Sequence, residues 1–311
     1  MSKVLDSRIF KNYLKSFKEW VRGMKEGARI SMEEFSIEKP EDGHEVSKKK
    51  VIITADGILP ELIKKSPFFA GWSSVVVVHS DMVASGGMPL ELFVSISAEN
   101  KRRLKTLLSG IKSASSLLGI KISGGHTILG RTSSLSTFLI GEKIGGFKKI
   151  KSKNLIMGLL FDRKGRKGTR FFPSWNSFFK SSSEEIKRKR RCVLEVTKFS
   201  SLVKDISTGG ILGTCAIALE ALGLGGEIDI ARISPPDGIS LEYWLKAFQS
   251  FGFLIFTKEE FVDMIKEKCE KNSLRFDVIG RTLKEKKFYI VCGSKRIKFF
   301  DLSRERILRW K

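Results

Sequence analysis

The chain has 311 residues, with 57 Lys and Arg against 34 Asp and Glu, a formal charge of +23 at neutral pH. Hydrophobic residues make up 41% and Phe alone numbers 23, enough to pack one large domain or two smaller ones, so wholesale disorder is excluded. No apolar run approaches the roughly 18 residues of a membrane span, and the opening MSKVLDSRIFKN has no apolar signal core. Cys192, Cys215, Cys269 and Cys292 are widely spaced with no C-x-x-C pair, which argues against a zinc knuckle and fits reduced thiols in a cytoplasmic protein.

The first expected element is an amphipathic helix over 7–26, where Phe10, Leu14, Phe17, Val21 and Met24 recur at helical spacing. A polar stretch, Gly27–Lys50, leads to a strand at Val51–Thr54 that ends in Ala55-Asp56-Gly57. Pro67–Gly87 is ambiguous: Val75–Val78 favours a strand by propensity, whereas Phe69, Trp72, Val76, His79 and Val83 sit at helical spacing. A strand at Leu90–Ser97 precedes a helix over Lys101–Leu118 that Gly119 closes. A short strand, Ile120–Ile122, runs into a Gly-rich turn at Ser123–Thr127. Strands at Ser134–Gly141 and Leu155–Asp162 flank a basic linker, Gly145–Lys153, taken as the domain boundary. Beyond it come a helix over Thr208–Leu222 that opens in Gly209-Gly210, strands at Phe251–Thr257 and Phe288–Val291, and a helix over Lys258–Lys271. Strands alternating with helices in two halves indicate an α/β or α+β protein of two domains.

The positive charge is concentrated. Lys143–Arg191 holds 16 basic and 3 acidic residues, and Lys284–Lys311 holds 10 and 3. Such stretches form a nucleic-acid footprint, a funnel for anionic substrates, or solvated Lys/Arg loops. Neither carries aromatic interleaving, a helix-turn-helix pattern or a zinc site, so solvated loops or a funnel are favoured over nucleic acid.

Four aspartates stand in turn or Gly-rich contexts: Asp42, Asp56, Asp81 and Asp205. Carboxylates at strand ends and helix starts suit Mg²⁺, which takes one or two of them together with substrate phosphates; singly, each also reads as a helix cap or turn former. Two Gly-rich turns are candidate anion cradles. Ser123-Gly124-Gly125-His126-Thr127 offers backbone N–H groups, a hydroxyl and an imidazole. Ser207-Thr208-Gly209-Gly210, after Lys204-Asp205-Ile206, opens a helix, whose N-terminus favours phosphate. The absence of GxxxxGK[ST] and GxGxxG removes support for a P-loop ATPase or a dinucleotide-binding enzyme. His126 is a candidate catalytic or phosphate-contacting group, and His79 reads as a core histidine. No G-x-S-x-G elbow or Cys–His pairing points to a nucleophilic hydrolase.

These residues carry a resemblance. ADGI, then SPFFAGWSSVVVVHSDMVASGGMPLELF, SGGHT and KDISTGGILGTCAIALEALGLGGEIDI resemble, in order over about 40–295, the aminoimidazole ribonucleotide (AIR) synthase-related superfamily. That superfamily includes AIR synthase, thiamine-monophosphate kinase, selenophosphate synthetase and the hydrogenase-maturation carbamoyl dehydratase. The pattern is most like the AIR synthase-related branch that also holds methanogenesis-marker type proteins. The resemblance implies a two-domain α/β fold: a helical extension over 1–36, an N-terminal domain over 37–150 and a C-terminal domain over 151–311. It also implies a homodimer whose N-terminal strands form a central barrel, and a helix at Phe69–Gly86.

By the same resemblance ATP and Mg²⁺ occupy a cleft. Asp56 matches the Asp after the first strand, Asp81 the Asp of S-D-x-x-A-x-G-G, Asp205 that of D-I-S-x-x-G, and Gly124–Thr127 the G-G-x-T turn. Asp42, Asp56, Asp81 and Asp205 are then the metal ligands. Gly124, Gly125, Thr127, Lys204, Ser207, Gly209 and Gly210 contact nucleotide and phosphate, and His126 and Asp81 are catalytic. The chain departs from the pattern at three places: Pro40-Glu41-Asp42-Gly43-His44 keeps only the acidic pair of a Gly-Asp/Glu-Asp-Ala-Ala loop, Val78 replaces a common Asn, and the basic insert Lys164–Arg170 has no counterpart. The first reading is an ATP- and Mg²⁺-dependent enzyme that phosphorylates or activates an oxygen of a small anionic substrate, with no membrane partner and with nucleic acid allowed but not favoured. The alternative is a catalytically degenerate nucleotide-binding or RNA-associated protein.

Overall fold

The computed structural model describes residues 7–34, 44–46, 50–147, 153–169 and 173–308. Helix α1 (Ser7–Glu34) carries the Phe10–Met24 stripe and continues through Gly27. Strands β1 (His44–Val46) and β2 (Val51–Gly57) follow. A proline in the first turn opens both α2 (Pro60–Lys65) and α3 (Pro67–Ala84), where its fixed φ and missing N–H cost nothing. The ambiguous segment is therefore a helix. Next come β3 (Gly87–Ala98) and α4 (Lys101–Leu118), whose Asn100 cap accepts from Arg103 N–H and whose end is turned by Gly119 at φ +66°. Two strands, β4 (Lys121–Leu129) and β5 (Ser134–Lys143), complete this half.

Downstream lie β6 (Ile156–Phe161), the hairpin of β7 (Arg166–Lys167) and β8 (Ser174–Asn176), and α5 (Ser183–Thr197). They are followed by β9 (Ser200–Asp205), α6 (Gly210–Leu222), β10 (Gly225–Asp229), α7 (Leu241–Lys246) and β11 (Phe248–Gln249). The chain ends in β12 (Gly252–Thr257), α8 (Val262–Lys271), β13 (Arg275–Leu283), β14 (Lys287–Cys292) and β15 (Lys295–Asp301).

The described residues fall into two compact units. One draws on Glu41–Lys148 and Lys164–Lys198, the other on Met1–Pro40, Lys149–Arg163 and Phe199–Lys311. The first holds a five-stranded sheet, ordered β1-β2-β5-β3-β4, with β3 and β4 parallel across the α4 crossover. Helix α3 is seated on one face by two buried hydroxyls: Thr54 donates to Val78 O at 2.9 Å and Thr137 to Ser74 O at 2.6 Å. Helices α3 and α4 meet through glycines. A Cβ on Gly71 would stand 2.1 Å from Leu107 O, and one on Gly110 the same distance from Phe68 O. The second unit is built on a seven-stranded sheet, β15-β14-β10-β13-β6-β12-β9. Its α6 is buried at every position from Gly210 to Glu220, hence the apolar run ILGTCAIAL.

Two expectations are overturned. Ser123–Thr127 is not a turn: it is continuous strand within β4, and Gly125, at φ +141°, lets the chain pass where a Cβ would lie 1.9 Å from Val94 O. Nor is the basic stretch simply solvated loop. Helix α5 lies in it and buries two cations: Lys189 donates to Glu185 Oε1 at 2.7 Å and Arg190 to Leu118 O at 3.0 Å. Its Glu185 also accepts from Lys164, and the cations around it hold its carboxyl at a pKa of about 2 against the opposing effect of desolvation.

His79 is fully buried on α3, edge-on to Phe178 with ring centroids 6.3 Å apart. Neither ring nitrogen has a hydrogen-bond partner among the described residues. Burial first, and the Arg190 charge second, lower its pKa to about 3. The folded ring is neutral, whereas the unfolded one takes up a proton near pH 6.5, so stability is lost as pH falls through the window between these values. Between pH 7 and pH 4 the loss from this group is about 3 kcal/mol. Denaturant titrations at the two pH values should show a correspondingly flatter acid limb in His79→Leu. At the helix contact, Gly71→Ala or Gly110→Ala should destabilise by about 1–3 kcal/mol or more, read as a lower denaturant midpoint.

Candidate functional site

The turn from β9 into α6 has the clearest architecture. Strand β9 ends in Lys204 and Asp205, both buried, and Ile206 stays in the sheet by donating to Gly252 O at 2.9 Å. Ser207 and Thr208 are half-buried at the turn. Gly209 (φ +112°) and Gly210 (φ +61°) then adopt left-handed conformations that a side chain would strain, and a Cβ on Gly210 would lie 2.2 Å from Leu245 O. Gly209 caps α6 without a side-chain acceptor. The first N–H groups of a helix have no partner one turn earlier, so this 13-residue helix, whose Gly210 N–H turns back to Ser207 O at 3.0 Å, starts with backbone donors and a positive dipole end at a turn where Gly209 and Gly210 add no side chain. That arrangement suits a phosphate group.

The five-stranded unit holds the other described candidates, and it separates them. Asp56, exposed at the end of β2, accepts from Gly57 N–H at 2.7 Å. The register places Asp56 in one row with Thr137, Val94 and Gly125, and His126 in the next row with Ser95, Ser136 and Gly57. Adjacent rows face opposite sides of a sheet, so Asp56 points to the side covered by α3 and His126 to the open side. Asp81 is half-buried in the last turns of α3. It lies seven residues beyond Ser74, the residue level with Thr137, which is about 10 Å of helix. Gly124, Gly125, His126 and Thr127 are all exposed along the edge strand β4. Asp42 lies outside the described residues. Within either unit, no group of three His, Cys, Asp or Glu among the described residues is placed to hold a metal ion.

Three features escape sequence reasoning. The open side of the five-stranded sheet is apolar, with Ile53 and Phe138 exposed and Phe93 and Ile140 half-exposed; strand alternation carried that signal. A groove of about 610 Å³ beside α8 and β13 is lined by Arg232, Lys266, Arg275, Asp263, Glu270 and Asp277, and contains none of the expected site residues. Lys25 of α1 donates to Ser207 Oγ at 3.2 Å, a contact across 182 positions that no local pattern reveals.

Comparison with known proteins agrees with the fold. Residues 41–142 match the family model described as AIR synthase related protein, N-terminal domain, and residues 181–293 match its C-terminal domain. An uncharacterized protein of Synechocystis is 29% identical over 266 residues, covering 81% of this chain and 80% of its own. The thiamine-monophosphate kinase of Archaeoglobus fulgidus is 33% identical over 72 residues, 23% of this chain and 24% of its own. Among solved structures, PurL of Thermotoga maritima complexed with AMPPCP superposes with a TM-score of 0.72 at 13% identity over 92% of this chain. The chain spans about half (50%) of that protein's length.

Proposed function

Because the chain belongs to the AIR synthase related family, we propose that it is an ATP- and Mg²⁺-dependent enzyme that phosphorylates or activates an oxygen of a small anionic substrate. The observation that carries this reading is the β9–α6 turn, where the side-chain-free Gly209 and Gly210 open a buried helix shortly after the buried Asp205. A solved structural neighbour complexed with a nucleotide analogue supports it.

Ser207 and Thr208 hydroxyls and the first backbone N–H groups of α6 would bind phosphate oxygens, with no side chain at Gly209 or Gly210 in the way. Asp205, at a strand end, would offer a carboxylate oxygen, the donor type Mg²⁺ takes, and by the family resemblance Asp56, Asp81 and Asp42 belong to the same expected set. Bound Mg²⁺ supplies neutralisation of the charge on the transferring phosphoryl group. Lys204, buried beside Asp205, contributes positive charge at the strand end. His126 faces the open side of its sheet, away from Asp56, so its contribution requires what covers that side.

A second copy of the chain is what we propose covers it. A sheet face bearing Ile53, Phe93, Phe138 and Ile140 is costly to leave in water, and the edge strand β4 offers unpaired backbone groups for pairing. Light scattering should give about twice the 35.0 kDa chain mass. A monomer at micromolar concentration would remove the dimer from this reading.

Nucleotide binding is tested by thermal melting with ATP, with and without Mg²⁺. At 100 times its dissociation constant a ligand adds about 2.7 kcal/mol, an upward shift of several degrees. Asp81→Asn and Asp205→Asn should each abolish the Mg²⁺-dependent part of the shift. Variants that respond to Mg-ATP like the parent would refute the assignment of these aspartates.

A further inference from the structure

We infer that Lys25, on the N-terminal helix ahead of the family-matched residues, is a phosphate-anchoring residue of the β9–α6 turn. The inference rests on the nucleotide reading above and adds to it a residue from a different part of the chain.

Helix α1 is fastened to the seven-stranded unit at several points. Phe17 and Val21 are buried, and Phe17 lies edge-on to Phe299 of β15 at 6.2 Å. Lys18 and Arg22 both pair with Glu305 near the C-terminus. One helical turn before Lys25, Val21 fills the space beside Gly213 of α6, where a Cβ would lie 3.1 Å from its Cγ2. These contacts set the height of α1 against the opening turns of α6. Lys25 then falls at the glycine turn: its Nζ donates to Ser207 Oγ, and its Cε is 4.0 Å from the point where a Gly209 Cβ would stand.

The chemistry suits an anion. An ammonium has three donors, and a hydroxyl that accepts from it keeps its own proton to donate elsewhere. Lys25 and Ser207 thus form a donor pair beside the N-terminus of α6, and a charged donor forms the stronger type of hydrogen bond to phosphate. A separate observation also marks the turn as a polar binding place. Gln249 is 2% exposed and donates its backbone N–H to Ile206 O, yet neither atom of its side-chain amide has a hydrogen-bond partner among the described residues. The same is true of the Thr214 hydroxyl in the second turn of α6. A buried polar group left unmatched costs about 1–3 kcal/mol, and the Gln249 amide, lying against Gly252, whose carbonyl Ile206 N–H reaches, marks a polar place beside the turn. Because the cation is a lysine on a separate helix, it extends the anchor beyond the reach of the turn's own N–H groups, as a chain of two or three phosphates requires.

The test titrates the full-length parent protein, Lys25→Met and Lys25→Arg with Mg-ATP and with inorganic tripolyphosphate by calorimetry, beside the melting temperature of each ligand-free protein. The expected result is a loss of about tenfold or more in affinity for both ligands in the Met variant. Most of that affinity should return in the Arg variant, with ligand-free melting temperatures unchanged. Should Lys25→Met melt early, Lys25→Gln, which keeps a donor without the charge, takes its place in the same comparison. Neutral variants that bind both ligands as tightly as the parent overturn the inference and leave the nucleotide reading standing. A parent that binds neither ligand overturns both. Binding of tripolyphosphate but not Mg-ATP, lost with Lys25, upholds the anchor and overturns the nucleotide reading alone.

Discussion

Two consecutive left-handed residues hold the seven-stranded unit's central helix in place. Gly209 and Gly210 turn the chain sharply out of β9 so that α6 can begin against the backbone of Leu245, closer than any side chain at Gly210 permits. From that start α6 runs buried for eleven positions, Gly210–Glu220. Its end is held by Gly223 in the left-handed conformation and by Glu220, which accepts from the N–H groups of Ile307 and Leu308. The same residues that make the packing possible leave the helix start bare of side chains. A structural requirement and the proposed phosphate-binding surface therefore coincide at one turn.

The five-stranded unit solves a different problem. Its covered face is tied to α3 by the Thr54 and Thr137 hydroxyls, which satisfy themselves on helix carbonyls, and α3 approaches α4 to backbone contact through Gly71 and Gly110. Buried hydroxyls and glycines at these positions let two helices lie flat on one side of the sheet. The opposite side keeps its apolar residues, and the strand that edges it is the exposed, glycine-bearing β4. Register sets His126 and Asp56, on strands β4 and β2 with β5 and β3 between them, facing opposite sides of the sheet.

Charge follows the same economy of placement. Burying Lys189 and Arg190 of α5 removes two cations from any basic surface and leaves the neutral His79 ring facing an Arg charge inside the unit. The high positive count of the stretch is thus partly internal structure, held by Glu185 and by the Leu118 carbonyl.

Elements dominated by local signals were legible in the sequence: α4 with its Gly119 stop, α6 between its glycines, the body of α1, and strands β2, β3 and β5. The family-specific blocks around Asp81 and Asp205 identified the fold that the comparisons show. Other features depend on partners distant in sequence. Ser123–Thr127 reads as a turn because glycine pairs usually make turns, yet here Gly125 serves a close strand–strand approach fixed by Val94. Helix α5 is hidden by its cations, whose burial only a partner such as Glu185 allows. The placement of Asp56 and His126 on opposite faces is set by register, which is a property of paired strands rather than of either strand alone. Lys25 reaches Ser207 only because Phe17 and Val21 seat α1 against the rest of its unit. Local propensity and motif spacing determined which segments are helix or strand and which residues are chemically apt; long-range packing alone decided which of those residues meet, because a side chain's neighbours are fixed by the elements packed against it.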